Sequence, residues 1–410
     1  DRTPVLFKAV GEPPFHEDEV FQAAVLGTRP TGPAGLPPNT QFTVERYQHT
    51  EPSGYLPELS DGSFDDYQQR VTDRLGGRRY ALVVHGFHGF SYPQWTRQCA
   101  FYANLWERVG LPSGSAITTM FHGTYEHSPV GVHKDRFATF MFGLKGRKRM
   151  RFWPRRPWSE PVTTILDYEP YLAESFAIEV AAGDLLYWPS SYFHVGESAG
   201  DEPATSVNVG VPREGHRAAH DLDDLLVDIE PSMVIDPSLS ATLLAGARAP
   251  LSTMEQSVDG WLPASPPPAL MEAVAILQDR TSGHRLTDLI TERSLRYWTA
   301  GGFRPVPPRK RPRPLTDDTV LRACAPILSD RVDGGALCAA NGHAVRTTLP
   351  KKTLSVLLER LRTNQAVRVA DVSPSDRAAT RTLLEDLESA RAVTRVDTVP
   401  DFARCPIRTT

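Results

Sequence analysis

Apolar residues alternate with polar ones along the middle of the chain, and on either side of it they recur at helical spacing. Between residues 115 and 211 short runs rich in β-branched and aromatic residues are separated by turns: S-A-I-T-T-M-F, D-R-F-A-T-F-M-F-G-L, K-R-M-R-F-W, A-I-E-V, D-L-L-Y-W and T-S-V-N-V-G-V. Regularly spaced short strands predict an all-β barrel or sandwich. Upstream, residues 1–75 mix short apolar stretches with P-P, T-G-P-A-G and P-S-G punctuation, which predicts loops and isolated helices. Residues 64–75 have a helical pattern, 79–84 form a buried strand candidate, and 92–109 carry the spacing of a packed surface helix.

Helical patterning returns over residues 221–300, interrupted by a proline-rich stretch at 262–268, with helices expected at 269–279 and 286–300. Residues 301–314, G-G-F-R-P-V-P-P-R-K-R-P-R-P, combine proline and basic residues as an exposed, stiff linker would. Beyond it, residues 321–327, 352–362 and 378–390 look helical and 392–396 strand-like, an order that suggests a winged-helix-like α+β domain. The expected division is therefore 1–220, a β domain with an N-terminal extension; 221–300, helical; 301–316, linker; and 317–410, winged-helix-like.

A chain of 410 residues fits two or three domains at roughly 100–200 residues each. The formal net charge of −4 exerts no global pull toward nucleic acid or acidic lipid. Cys99, Cys324, Cys338 and Cys405 are scattered without a C-x-x-C pair, which fits a reducing compartment. The first ten residues lack a basic segment followed by an apolar core, and no apolar run is long enough to cross a bilayer. The expectation is a soluble cytoplasmic protein.

The candidate chemistry starts from His133 and Asp135. Counting by twos from His133 gives Asp135, Phe137, Thr139, Met141 and Gly143, so both polar residues share a face with mostly apolar neighbours. Two imidazoles and one carboxylate can occupy one face of an iron(II) octahedron and leave the opposite positions open, and His194, after G-D-L-L-Y-W-P-S-S-Y-F, is the candidate second imidazole. The plain alternative is a surface H-x-D pair and a packed histidine. After the turn at Lys145-Gly146, Lys148, Met150 and Phe152 share one face, and Arg147, Arg149 and Arg151 the other. An inward Lys148 demands an anionic partner, and a dicarboxylate such as 2-oxoglutarate would supply one; the alternative is an exposed basic hairpin with snorkelling side chains. Farther on, Ser206, Asn208 and Gly210 alternate with valines. Either Asn208 faces the cavity, where it can hydrogen-bond cosubstrate or substrate, or the valines form the core and Asn208 faces solvent.

The run H-K-D, then L-K-G-R-K-R-M-R-F-W-P, then G-D-L-L-Y-W-P-S-S-Y-F-H, resembles the JmjC and cupin-like oxygenases, including the hypoxia-factor asparaginyl hydroxylase and bacterial ribosomal oxygenases. The resemblance covers residues 115–211 with specific motifs. It implies a mainly β core, a double-stranded β-helix (jelly roll), with helical additions. It also implies His133, Asp135 and His194 as Fe(II) ligands and Lys148 as the partner of the distal carboxylate of 2-oxoglutarate. Two positions depart from the family: Ser191 where many cupins have glycine, and Val130 near a cosubstrate-binding threonine, for which Thr139 on the ligand face is the substitute. Helices ending in R-S-L-R-Y-W-T-A-G-G-F, followed by a winged-helix-like domain, are similar in order to the ribosomal-oxygenase layout, where a helical segment supports dimerisation.

The resemblance thus implies an Fe(II)- and 2-oxoglutarate-dependent dioxygenase, one that hydroxylates a side chain of a protein or peptide. Its substrate is a ribosomal protein or the precursor of a modified peptide natural product. The rival is a non-enzymatic cupin-like adaptor. A DNA-binding role for the tail and the basic run at 309–313 is disfavoured, because residues 352–362 are mainly amphipathic and offer few groove-facing polar groups.

Overall fold

The computed structural model describes residues 2–29, 40–45, 47–49, 52–112, 114–124, 130–200, 202–212, 254–257, 260–263, 278, 284–309 and 314–396. The N-terminal part contains β1 (Val5–Phe7), α1 (Glu17–Gly27), β2 (Thr40–Val44), β3 (Tyr47–Gln48), α2 (Phe64–Leu75), β4 (Tyr80–His85), α3 (Tyr92–Val109), β5 (Ile117–Gly123), β6 (Phe137–Lys145), β7 (Arg147–Trp153), β8 (Phe176–Ala181), β9 (Leu185–Trp188), β10 (Phe193–Ser198) and β11 (Ala204–Pro212). They form an eight-stranded sheet in the order β1-β9-β6-β11-β5-β4-β2-β3 and a three-stranded sheet, β10-β7-β8. Every pairing in both is antiparallel.

Alternation decides which way the large sheet turns. Val207, Val209 and Val211 of β11 are buried in a core with Val20 and Phe21 of α1, Phe64 and Tyr67 of α2, and Trp95 and Tyr102 of α3. The helices therefore cover that face, because a strand with one apolar set of positions must bury it against another layer. The opposite face meets the small sheet, and Met141, Leu186 and Trp188 pack there against Met150, Phe152 and Val180. The chain passes from the large sheet to the small one at Gly146. Its φ of +63° is left-handed, and a Cβ would fall 2.2 Å from the Pro203 carbonyl oxygen, so only glycine fits.

The six runs expected to be strands are β5, β6, β7, β8, β9 and β11, and the three expected elements upstream are α2, β4 and α3. β10 was not anticipated. In F-H-V-G-E-S, Phe193 and Val195 alternate with His194 and Gly196, but Glu197 on the apolar side breaks the pattern. The sequence reading placed His194 at the end of a turn, whereas it lies within a strand paired with β7.

Downstream, β12 (Met254–Ser257) and β13 (Gly260–Pro263) form an antiparallel hairpin where helical patterning was expected. The pairing of Ser257 with Gly260 leaves a two-residue connection, the short link of a β-hairpin. Residues 221–253 and, apart from Gln278, the helix expected at 269–279 lie outside the described residues. The next helix, α4 (His284–Thr299), matches the expected 286–300 closely.

The linker requires correction. Phe303 and Val306, each 1 % exposed, belong to the core under the large sheet. The Trp95 indole nitrogen donates to the Arg304 carbonyl at 2.9 Å, and the Ala116 amide donates to the Gly302 carbonyl at 2.8 Å. Proline and basic composition hid two apolar anchors, so the first part of the expected linker is structural core. Residues 310–313 lie outside the described residues.

The C-terminal part has β14 (Leu321–Ala323), a three-stranded sheet of β15 (Leu328–Val332), β16 (Gly335–Ala340) and β17 (His343–Thr347), then α5 (Lys351–Arg362), α6 (Arg377–Ser389) and β18 (Val393–Arg395). Residues 321–327, expected helical, instead begin with a strand paired to β18, and Pro326 denies a helix there its backbone donor. Leu321, Leu354, Leu357, Leu383, Leu387 and Val393 close a core separate from the first. No helix among the described residues is long and apolar enough to cross a membrane.

Replacing Phe303 with Ala should cost about 3–5 kcal/mol, as for other buried aromatic truncations. Urea unfolding followed by tryptophan fluorescence should show the lower midpoint. An unchanged midpoint would mean that the segment rests on the core without belonging to it.

Candidate metal centre

His133 and His194 face each other across an antiparallel bridge. The His133 amide donates to the His194 carbonyl at 3.0 Å, and the His194 amide returns the bond at 2.8 Å. Directly opposed residues of an antiparallel pair put their side chains on the same side, and the two ring centroids lie 4.5 Å apart. Asp135, two residues on, brings Oδ1 to 3.7 Å from His133 Nε2 and Oδ2 to 3.4 Å from His194 Nε2. One potential ligand atom from each of the three falls within 4.8 Å of the others.

The tautomers follow from the other ring nitrogens. His133 Nδ1 lies 2.9 Å from the Gly131 carbonyl oxygen, and His194 Nδ1 lies 3.4 Å from that of Tyr192. A carbonyl only accepts, so in the neutral form of each ring Nδ1 carries the proton and Nε2 keeps its lone pair. Gly131 can offer its carbonyl there because it has no side chain: its φ is +72°, and a Cβ would fall 2.3 Å from the Ile165 oxygen. Burial, and then the neighbouring His194, lower the His133 pKa. Burial pushes the Asp135 carboxyl up, but the hydrogen bond and charge of His194, with the charge of His133, outweigh it and leave the pKa below the usual value. A deprotonated carboxylate beside neutral imidazoles is the state in which all three donate to a cation.

These residues close one end of a cavity of about 350 Å³ between the sheets, which Lys148, Thr139 and Asn208 also line. Strand register lays its floor out in rows. One runs Gln41–Val83–Phe121–Ser206–Gly143, the next His85–Thr119–Asn208–Met141, and the third Ile117–Gly210–Thr139–Trp188. Asn208 faces the cavity while its valine neighbours fill the core on the other side, so each of the two alternatives drawn from the sequence was half of the answer.

Lys148 is 6 % exposed and inward, not part of an exposed hairpin. Its Nζ donates to Ser206 Oγ at 3.2 Å and sits 4.3 Å from the Phe121 ring centroid. Gly196 makes this possible, since a Cβ there would fall 2.9 Å from Lys148 Cε. Burial lowers the Lys148 pKa to about 7. Thr139 is 1 % exposed, and neither its Oγ1 nor Asn208 Oδ1 has a hydrogen-bond partner within the protein. Unmet buried polar groups cost about 1–3 kcal/mol each, and here both border a space that a polar ligand can fill.

The sequence reading missed His85, Thr119 and Gln41, which also line the cavity. His85 ends the R-Y-A-L-V-V-H run on the same face as Ala81 and Val83, so strand parity could have found it. Of the two departures from the family pattern, Val130 lines the cavity and Ser191 does not line it.

Lys148 gives a pH signature to the protein alone. Between pH 7 and 10.5 the unfolded lysine holds a proton that the buried one has released, so the folded state gains stability as pH rises through that window. Urea midpoints across it should climb more steeply for the parent than for Lys148→Met. Parallel profiles would show that Lys148 is not held in an apolar setting.

Residues 103–217 match the family model described as the JmjC domain. No curated protein matches the chain. Among solved structures, Escherichia coli YcfD is 15 % identical over 96 % of this chain and 95 % of that one, with a TM-score of 0.46. A structure titled as YcfD, a ribosomal oxygenase, in complex with cobalt and 2-oxoglutarate is 14 % identical over 96 % and 94 %, with a TM-score of 0.43. Oxalate decarboxylase from Bacillus subtilis is 13 % identical over 33 % of this chain and 26 % of that one, with a TM-score of 0.19. His133, Asp135, Thr139, Lys148, His194 and Asn208 all fall inside the matched segment, and over that segment the chain is similar to the JmjC domain family.

Proposed function

We propose that this protein is an Fe(II)- and 2-oxoglutarate-dependent dioxygenase that hydroxylates a side chain of a protein or peptide. The observation that carries the reading is the convergence of two imidazole Nε2 atoms and one carboxylate at the end of a cavity that also holds a buried lysine. That donor set suits iron(II), with one face of the ion left open to other ligands. In this reading the two sheets are the halves of a double-stranded β-helix.

His133, Asp135 and His194 hold the metal. Lys148 pairs with the far carboxylate of 2-oxoglutarate, and that pairing restores the charge on an ammonium which burial otherwise drives toward neutrality. Ser206, already bonded to Lys148 Nζ, steadies it. Thr139 Oγ1 and Asn208 Oδ1, unpartnered within the protein, contact the bound cosubstrate or the ordered water around it. Phe121, Phe137 and Met150 keep bulk water from the reacting end. Iron with 2-oxoglutarate supplies the oxidising power: one atom of O2 enters a substrate C–H bond as hydroxyl, the other enters succinate, and CO2 leaves.

The finer assignments are part of the same proposal. The segment through α4 supports a homodimer, and residues 317–410 form a winged-helix-like unit that presents a protein or peptide, either a ribosomal protein or a natural-product precursor. The setting is cytoplasmic, without nucleic acid or membrane as partner.

Anaerobic addition of Fe(II) and 2-oxoglutarate should produce a metal-to-ligand charge-transfer band. Its absence would favour a non-enzymatic, cupin-like adaptor. His133→Ala should lose both the band and iron-dependent succinate formation. Lys148→Ala should weaken 2-oxoglutarate by about 10–100-fold, the worth of one charge-assisted hydrogen bond, while changing iron affinity far less. Equal losses of both would indicate a folding defect in place of a lost carboxylate contact.

A further inference from the structure

The large sheet is wider than the small one, eight strands against three, and its β4 and β2 strands carry the cavity floor away from the metal end. Gln41 and Val130, both exposed, mark the mouth. Inward from it stand Ala81, Val83, Ile117 and Phe121, an apolar wall interrupted by His85. The His85 ring is held by a 2.9 Å hydrogen bond between Nδ1 and Thr119 Oγ1, its directly opposed neighbour on β5. Asn208 is the next residue in that row. His85 therefore stands two strand spacings, about 10 Å, from Asn208. His85 and Asn208 line the same cavity as His133, Asp135 and His194, so a side chain that enters from the mouth meets the ring.

Charge narrows what this path accepts. The Arg304 guanidinium packs against Gly86, next to His85, so closely that a Cβ on Gly86 would fall 2.8 Å from Arg304 Nη1. Burial and the Arg304 charge both lower the His85 pKa, so the ring is neutral at pH 7. At the inner end is Lys148. Among the described residues lining the cavity the carboxylate is Asp135, which the proposed function commits to iron. A cationic target would lose its hydration near the Arg304 guanidinium, with no carboxylate in the cavity left uncommitted to pair with it. An uncharged polar side chain would bury its stem on the apolar wall and pair its end with a neutral imidazole.

We propose that His85, steadied by Thr119, is the specificity-determining contact for the target, and that the target is an uncharged, hydrogen-bonding side chain of the amide, imidazole or hydroxyl kind, not arginine or lysine. This rests on the oxygenase reading. Thr119 acts through His85 and is a positioning residue. A site that hydrogen-bonds its substrate strongly rejects analogues lacking the matching group, which gives one neutral ring a large effect on selectivity.

The test incubates the full chain, Fe(II) and 2-oxoglutarate with a capped heptapeptide library. The flanks are randomised, and the central position is Asn, Gln, His, Ser, Leu, Arg or Lys. Mass spectrometry reads a one-oxygen gain at the centre, and the charge-transfer band is recorded in parallel for the parent, His85→Ala and His85→Asn. The expected result is modification of uncharged polar centres at least about tenfold above arginine and lysine. His85→Ala should raise the peptide KM about tenfold while kcat changes less, and His85→Asn should recover part of the loss. Equal or better modification of cationic centres, modification of no centre, or a His85→Ala protein that keeps the parent's preference would each overturn the proposal. With the band present in the parent, such a result defeats this inference alone; without the band, the oxygenase reading fails and this inference fails with it.

Discussion

Two main-chain hydrogen bonds, His133 to His194 and back, hold the segment ahead of β6 against the first residues of β10. Much else depends on that register. A slip by one residue would turn His194 to the other face and bring Val195 toward the cavity, since successive strand side chains alternate. The pairing continues along β10 and β7, from Phe193 opposite Trp153 to Ser198 opposite Lys148. One ladder thus sets both the spacing of the imidazoles and the depth of the lysine. Changes at Gly196 or Met150 act on the same ladder and would be felt at both ends.

A second constraint comes from the helices. With α1, α2 and α3 covering one face of the large sheet, its other face is the one left to build a site. Rows of small and polar residues there, Ser206, Asn208 and Gly210 among them, leave room that the valines on the reverse side could not. Gly210 shows this most directly: a Cβ would fall 2.5 Å from the Phe137 ring, so the bare backbone lets that ring lie across it. Cavity and core are two readings of one alternation.

Local alternation was legible in the sequence, and long-range pairing was not. Parity placed His133, Asp135 and Thr139 on one face and Lys148 with Met150 and Phe152 on the inward face of the next strand, and in the structure the four polar residues line the same cavity. Alternation is a local property of a strand and survives without knowledge of its neighbours. What escaped detection depended on long-range pairing or on composition that misleads. β2 holds T-Q-F-T-V and pairs with β4 some forty positions away, with no apolar run to announce it. β10 is diluted by the glycine that Lys148 needs. Phe303 and Val306 are isolated among prolines and cations, so only the tertiary structure reveals them as core. Leu321, Arg322 and Ala323 are helix-tolerant residues that pair instead with a strand near the far end of the described chain.

Mechanically, the segment from Gly302 to Val306 is a rivet, not a tether. Its main chain is bonded to Trp95 on α3 and to Ala116 just ahead of β5, and its side chains are set in the core beneath the cavity floor. The Tyr297 hydroxyl donates to the Pro112 carbonyl at 2.7 Å, and the Arg391 guanidinium stacks 4.2 Å from the Tyr92 ring centroid, which adds a fastening from each side. A load applied to the C-terminal unit would therefore reach α3 and β5 without passing through a compliant joint. The two cores are separate in composition, but a displacement of one is transmitted to the wall of the other.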